Sequence, residues 1–231
     1  MSKFIQDPFV FPDMVQVNRP TGRVYEVKSG PDRGKSYPSI TRVLGAKPKP
    51  QLEAWKKRVG KAEAEKISLE ATTKGHALHT LAEYYLANRD DDVEEALKVC
   101  LDTVTTIWNY LRPWIDGNIS TVHGQECNVY SPTLKVAGRF DLLPSFADGT
   151  LAIVDFKNSK RPKKRDYIQD YFLQGTFYSL AIYELTGKMA KRIVVPVVSP
   201  EGLQVFETTP GKHFQELRQR ITEYYEFEPV L

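Results

Sequence analysis

The apolar positions change their spacing several times along the chain. Over the first twenty or so residues they follow no period, and prolines at 8, 12 and 20 interrupt them, so this stretch reads as irregular. A short strand, RVYEV from Arg23, comes next, and SYPSITRVLG (36–45) leads into a proline-rich link over 47–50. Helical pattern then runs over about 52–70. A second helix is expected from near Gly75, where Leu78, Leu81, Ala82, Tyr85 and Leu86 recur at steps of three and four and form one apolar stripe. A third helix is expected over about 93–114, ending before Gly117.

Beyond it the period shortens to that of strands. Residues 122–130 and 134–142 flank a Ser-Pro and read as a hairpin, and TLAIVDF (150–156) is a β-rich run after an Asp-Gly turn. The stretch 166–185 is apolar almost all round, which predicts a helix buried on more than one side and stopped by Gly187. Residues 193–198 read as a strand, with Pro196 pointing to an edge or a bulge. Residues 203–207 pair with it, and a last helix covers about 212–225. Helices, then a hairpin, then strand–helix–strand imply a mixed sheet covered by helices.

Composition narrows the class. At 231 residues, 41% hydrophobic and 11% aromatic, the chain suits one domain with a real core and not a disordered chain. No apolar run approaches the ~20 residues of a membrane span. The N-terminus shows neither a signal-peptide core nor an Arg- and Ser-rich transit sequence. Two cysteines, Cys100 and Cys127, are too few for a disulfide framework or a four-thiolate site, so a reducing cytosol is expected. The net charge of +3 says little, but its distribution says more. FKNSKRPKKR (156–165) holds six basic residues in ten and no acid, whereas DDDVEE (90–95) reads as a solvated acidic face.

Two carboxylates stand out. Asp141 ends the strand VAGRFD, and Asp155 sits near the end of LAIVDFK with Lys157 two residues on. Positions 155 and 157 of a strand share a face, so an acid and an amine lie beside a second acid on the preceding strand. Hydrolysis of a phosphodiester uses such a set: oxygen ligands hold a hard cation such as Mg²⁺ or Mn²⁺, and a lysine near the attacking water orients it or steadies growing charge. Aspartates at strand ends are also ordinary turn and cap formers. An Asp directly after four apolar strand residues nevertheless needs a partner. His79 borders the apolar stripe of its helix with Glu83 one turn on, which suits either a cavity edge or a surface pair. Gln174 and Tyr178 stack on one helical face, with Gly175 between them implying close backbone packing; a buried hydrogen-bonded pair reads the same way. Glu126 lies in a half-apolar strand, as a site acid or a solvent-facing alternate.

The order of these signals carries more than any one of them. A GxxxH helix (Gly75 to His79), Glu126, GRFD, VDFK and QGTFY resemble, in that order, the RecB-like branch of the PD-(D/E)xK nuclease superfamily. The stretch DFKNSKRPKKRDYIQDYFLQGTFYSLA, together with YPSITRVL, resembles the mitochondrial genome maintenance exonuclease and related phage exonucleases. The resemblance implies an α/β, restriction-endonuclease-like core: a central mixed sheet flanked by helices, with an N-terminal helical region. It implies one nuclease domain over 1–231: an irregular segment (1–35), a mainly helical part (36–118), the catalytic sheet with the QxxxY helix (119–210) and a C-terminal helix (211–231).

Residue by residue, the resemblance implies that His79, Asp141, Asp155 and the backbone carbonyl of Phe156 coordinate Mg²⁺ or Mn²⁺, that Lys157 acts on the attacking water, and that Glu126 assists. Gln174 and Tyr178 would position the scissile phosphate or the lysine. Lys160, Arg161, Lys163, Lys164 and Arg165 would wall a groove for nucleic acid, with Ser39 and Thr41 facing it. Tyr37, Trp55, Tyr84 and Tyr171 are candidates for stacking on bases. Having Asp rather than Glu at 155 shortens that ligand's reach by one methylene. Neither an iron–sulfur cluster nor ATP is expected, because four cysteines and a helicase motif are missing. The expected activity is exonucleolytic, on single-stranded DNA ends or flaps in replication, recombination or repair. The protein would be a monomer off the membrane, in the cytoplasm of a bacterium or phage-infected cell, or in mitochondria if a transit peptide has been removed. Alternatives are a structure-specific endonuclease or RNA-processing nuclease of the same fold, or a catalytically silent nucleic-acid-binding module.

Overall fold

A computed structural model describes residues 2–227. Strand β1 (Ile5–Gln6) lies at one edge of the main sheet. Strands β2 (Met14–Arg19) and β3 (Gly22–Val27) form a hairpin, and β4 (Ser36–Pro38) pairs with β3 to complete a separate three-stranded sheet. Ordered strands thus occupy much of the segment expected to be irregular. The prolines that suggested irregular structure precede the hairpin or sit in its turn at Pro20, outside the ladder.

Helix α1 (Ile40–Gly45) is capped by Ser39, whose hydroxyl accepts from the Thr41 amide at 3.2 Å. Helices α2 (Pro50–Val59) and α3 (Lys61–Leu86) meet at Gly60, where φ is +86°. The expected boundary in the seventies is therefore replaced by one at Gly60, and Gly75 lies inside a continuous helix. The expected third helix divides into α4 (Asp90–Val99) and α5 (Asp102–Asn118), because Cys100 is extended (φ −77°, ψ 151°).

The remaining elements are β5 (Ile119–Ser131), β6 (Val136–Phe146), β7 (Ala152–Val154), β8 (Lys157–Asn158), α6 (Gln169–Thr186), β9 (Arg192–Ser199), β10 (Gly202–Thr208) and α7 (Phe214–Phe227). The main sheet runs β1-β5-β6-β7-β9-β10, and β8 continues the line of β7 along β9. Parallel pairs β1/β5 and β7/β9 occur together with antiparallel pairs β5/β6, β6/β7 and β9/β10, giving the expected mixed sheet. Alternation on β7 feeds two cores. Ala152 and Val154 pack with Leu78, Leu81, Tyr85, Trp108 and Leu111 of α3 and α5, while Ile153 packs with Phe177, Ile182 and Leu217 of α6 and α7.

Gly187 ends α6 in the left-handed conformation, as its position predicted. Gly175 lies against β9 so closely that a Cβ there would come within 2.4 Å of Ile193 Cγ2. Pro196 occupies neither an edge nor a bulge, since β9 is an interior strand. Of the C-terminal helix expected over 211–231, α7 covers Phe214–Phe227, and 228–231 lie outside the described residues. Among the described residues no helix is long and apolar enough to cross a membrane.

Candidate active site

The site begins where the ladder opens. Strands β6 and β7 pair at Leu142 and Val154. One step along, the Phe156 amide donates to Asp141 Oδ2 at 2.8 Å, a side chain in place of a strand carbonyl. On the other flank the Asp155 amide donates to the Val194 carbonyl at 3.0 Å, and the same register resumes at Lys157 opposite Val197. A continuous parallel ladder would next direct the N–H of residue 196 to the Asp155 carbonyl, and Pro196 has no N–H. Residues 155 and 156 therefore stand out of regular pairing.

Helix α3 closes this gap. The Phe156 carbonyl lies 3.0 Å from His79 Nε2. That nitrogen is 3.6 Å from Asp141 Oδ2, and His79 Nδ1 is 3.3 Å from Glu126 Oε1. Gly75 permits the approach: Asn158, at the end of β8, donates to the Ala71 carbonyl at 3.1 Å, and a Cβ at 75 would meet its Oδ1 at 3.2 Å. The GxxxH spacing thus puts the tight contact one turn before the histidine.

Strand β5 supplies Glu126. The pairs Gln125/Leu142 and Cys127/Phe140 set Glu126 directly opposite Asp141, and pairing lapses at that position, where Glu126 takes φ +48°. Like charges facing each other across strands repel. A left-handed conformation is uncommon for a glutamate and costs roughly 1–3 kcal/mol. Donor atoms of His79, Glu126 and Asp141 all lie within 4.8 Å of one another.

Asp155 is fully buried and stands apart from this trio. Neither of its oxygens meets a well-directed hydrogen-bond donor among the described residues; the Lys157 ammonium, 2.6 Å from Oδ2, makes the close ion pair. Lys157 is itself only 21% exposed, and its ammonium lies 5.2 Å from the centre of the Tyr171 ring. These groups shift one another. Burial, then the neighbouring Asp155 charge, push the Asp141 carboxyl up to about 6. Burial disfavours a charged His79, but the Asp141 carboxylate and the Glu126 hydrogen bond outweigh it and raise the imidazole to about 9. Burial likewise opposes the Lys157 charge, and Asp155 with Asp141 overcome it, holding the ammonium above its ordinary range.

The other expected residues fall into two groups. Gln174 Nε2 donates to the Tyr178 hydroxyl at 2.9 Å, which donates to the Arg139 carbonyl at 2.6 Å. These contacts brace β6, the strand that carries Asp141. Of the basic run, Lys160, Arg161, Lys164 and Arg165 are exposed. The Lys163 backbone is bracketed by Gln204 of β10 (2.7 and 3.2 Å), and Arg165 donates to the Glu207 carbonyl at 2.9 Å while lying over Phe172. Ser39 is buried as a helix cap, whereas Thr41 is exposed. Tyr37 is buried against Tyr130 and donates to Asp32, so it is withdrawn from base stacking; Trp55, Tyr84 and Tyr171 are half-buried. Glu83 is exposed and His79 turns to Glu126 instead. Sequence reading missed Arg139, whose Nε lies 2.9 Å from Glu126 Oε2, although its place two residues before Asp141 on one strand was a usable signal.

Comparison with known proteins follows the same outline. The fold resembles a crystal structure from Eubacterium rectale described as a "Putative exonuclease", at 15% identity over 69% of each chain and a TM-score of 0.43. It also resembles that of the protein SSO0001, at 11% identity over 67% of this chain and 74% of the other, with a TM-score of 0.35. Likenesses of this size carry no functional weight. No curated protein matches the sequence. A family model does match, over residues 51–227, a span that includes the histidine helix, the opened strands and the helix that braces them. On that match the chain belongs to the PD-(D/E)XK nuclease superfamily.

Proposed function

We propose that this protein is a metal-dependent deoxyribonuclease that removes nucleotides from single-stranded DNA ends or flaps. The observation that carries the reading is the meeting of His79, Glu126 and Asp141, from three separate elements, beside the Asp155–Lys157 pair. The donor set fits a hard divalent cation: facing carboxylates, a buried third carboxylate whose oxygens meet no well-directed hydrogen bond among the described residues, one imidazole and a carbonyl aimed at it. His79, Glu126, Asp141, Asp155 and the Phe156 carbonyl would hold Mg²⁺ or Mn²⁺. Bound there, such an ion polarises a phosphoryl oxygen and makes water more acidic.

The chain's own residues supply the rest. Lys157, kept charged by Asp155, orients the attacking water and steadies negative charge growing on the phosphoryl oxygens. Asp155 aims the lysine, and the Tyr171 ring covers it. Tyr178 and Gln174 keep β6, and with it Asp141, in register. The exposed cations of the 160–165 loop track the phosphate backbone without regard to sequence. The preference for DNA, single strands and free ends draws on the resemblance to the mitochondrial genome maintenance exonuclease and its phage relatives, as does action in replication, recombination or repair.

End-labelled linear and circular single-stranded DNA, with an RNA of the same sequence, incubated with Mg²⁺, Mn²⁺ or EDTA, test the reading. Loss of the linear DNA alone, blocked by EDTA, is the expected result. Cutting of the circle replaces it with an endonuclease, preferential loss of RNA moves it to RNA processing, and inertness in every metal leaves a binding module.

A further inference from the structure

We propose that Arg139 binds a phosphate of the nucleic-acid backbone at the mouth of the active site, next to the scissile group; this rests on the nuclease reading above. Arg139 and Asp141 are alternate residues of β6 and share the face that carries the acids, while Phe140 between them is buried on the other side. The Arg139 side chain is 54% exposed and forms an ion pair with Glu126, reached through Nε at 2.9 Å. Arginine has five N–H donors, so one ion pair leaves others to offer.

The need for such a group is electrostatic. Glu126 and Asp141 face each other across the sheet and a third carboxylate, Asp155, is fully buried, so a phosphodiester entering here comes close to carboxylates. A cation on the same face offsets that repulsion, and a planar guanidinium suits phosphate oxygens. Its base is rigid. The Arg139 carbonyl accepts from the buried Tyr178 hydroxyl, and a Cβ on the preceding Gly138 would come within 2.9 Å of the Tyr178 ring. Glu126, held by its backbone at φ +48°, bridges His79 with one oxygen and Arg139 with the other. Arg139 is therefore positioned against the ion-binding trio as well as toward solvent.

A purely structural partner of Glu126 and a phosphate contact differ in salt dependence. Binding of a fluorescent single-stranded oligodeoxynucleotide is measured at several KCl concentrations, in Ca²⁺ in place of Mg²⁺, for wild type, Arg139→Lys and Arg139→Gln, with thermal melts to confirm folding. Arg139→Gln is expected to flatten the slope of log affinity against log salt by about 0.7, one phosphate on a single strand, and Arg139→Lys to keep it. In Mg²⁺, Arg139→Gln should raise KM roughly tenfold with kcat changed by less than about threefold. A folded Arg139→Gln with the wild-type slope and KM overturns the proposal while leaving the nuclease reading intact. Wild type that shows no salt-dependent binding overturns both.

Discussion

Asp155 and Lys157 stabilise each other at a depth where neither is stable alone. A carboxylate with no exposure needs a compensating charge, and removing one partner of such a pair costs about 3–5 kcal/mol, because the other stays buried and uncompensated. Lys157→Ala is therefore expected to abolish hydrolysis while largely preserving nucleic-acid affinity, and also to lower stability. Adding Asp155→Asn should restore part of the stability and none of the activity. Urea denaturation alongside cleavage and binding assays checks both halves; unchanged turnover in Lys157→Ala would remove the lysine from the chemistry. Gly175 makes a different residue-scale point. Its interpretation as a close-packing position was legible from sequence, and Gly175→Ala would drive a methyl to 2.4 Å from Ile193 Cγ2. A loss of about 1–3 kcal/mol is expected on denaturation.

At the scale of elements, periodicity located most helices and strands but not their breaks. The turn between α2 and α3 depends on the positive φ of Gly60, and a helical hydrophobic pattern does not record which of two glycines, 60 or 75, leaves the helix. Pro196 was legible as a ladder-breaker, yet its consequence was not: it faces the strand of Asp155 and Lys157 from an interior neighbour and helps set residues 155 and 156 apart from the ladder. The start of α7 allows a test of packing by pH. His213 lies between Gln169 Nε2 (3.1 Å) and Thr208 Oγ1 (2.8 Å) and stacks on Phe172. Burial, helped by the Arg165 and Lys212 charges and opposed by Glu216, lowers its pKa below the usual 6.5. Folding thus favours the neutral ring: its contribution is complete above 6.5 and is lost as pH falls through the lowered folded value. Denaturant stability in EDTA should decline between about pH 7 and pH 5, and less steeply in His213→Asn; equal slopes would show that His213 does not titrate with folding.

Across the whole molecule, His79, Glu126 and Asp141 form a folded-state site whose members are scattered in the unfolded chain, so a bound ion should raise stability by mass action. Mn²⁺ is expected to raise the melting temperature of wild type, reversibly with EDTA, and to do so far less in Asp141→Asn. A melting point indifferent to Mn²⁺ would argue against the trio as an ion site. The basic loop is also a matter for the whole surface. Since Arg165 is engaged with Glu207 and Phe172, the loop's contribution should come mainly from Lys160, Arg161 and Lys164. Neutralising Lys160 and Lys164 together should weaken binding to all sequences alike and flatten the salt slope, as measured by fluorescence anisotropy.

By itself the sequence determined most of the helical and extended stretches beyond the first twenty residues, that a mixed sheet lies between helices, and which residue types capable of metal and phosphate chemistry occur in which order. Those features are written in neighbouring residues, through side-chain period, turn formers and local motifs. Tertiary structure alone decided that Glu126 faces Asp141 while Asp155 turns to Lys157, that the Gln174–Tyr178 pair braces β6, and that Arg139 stands beside the acids. His79 meets Glu126 from 47 positions away and Phe156 from 77. Contacts over such separations depend on strand register, on the break at Gly60 and on the close approach at Gly75, and no local pattern encodes them.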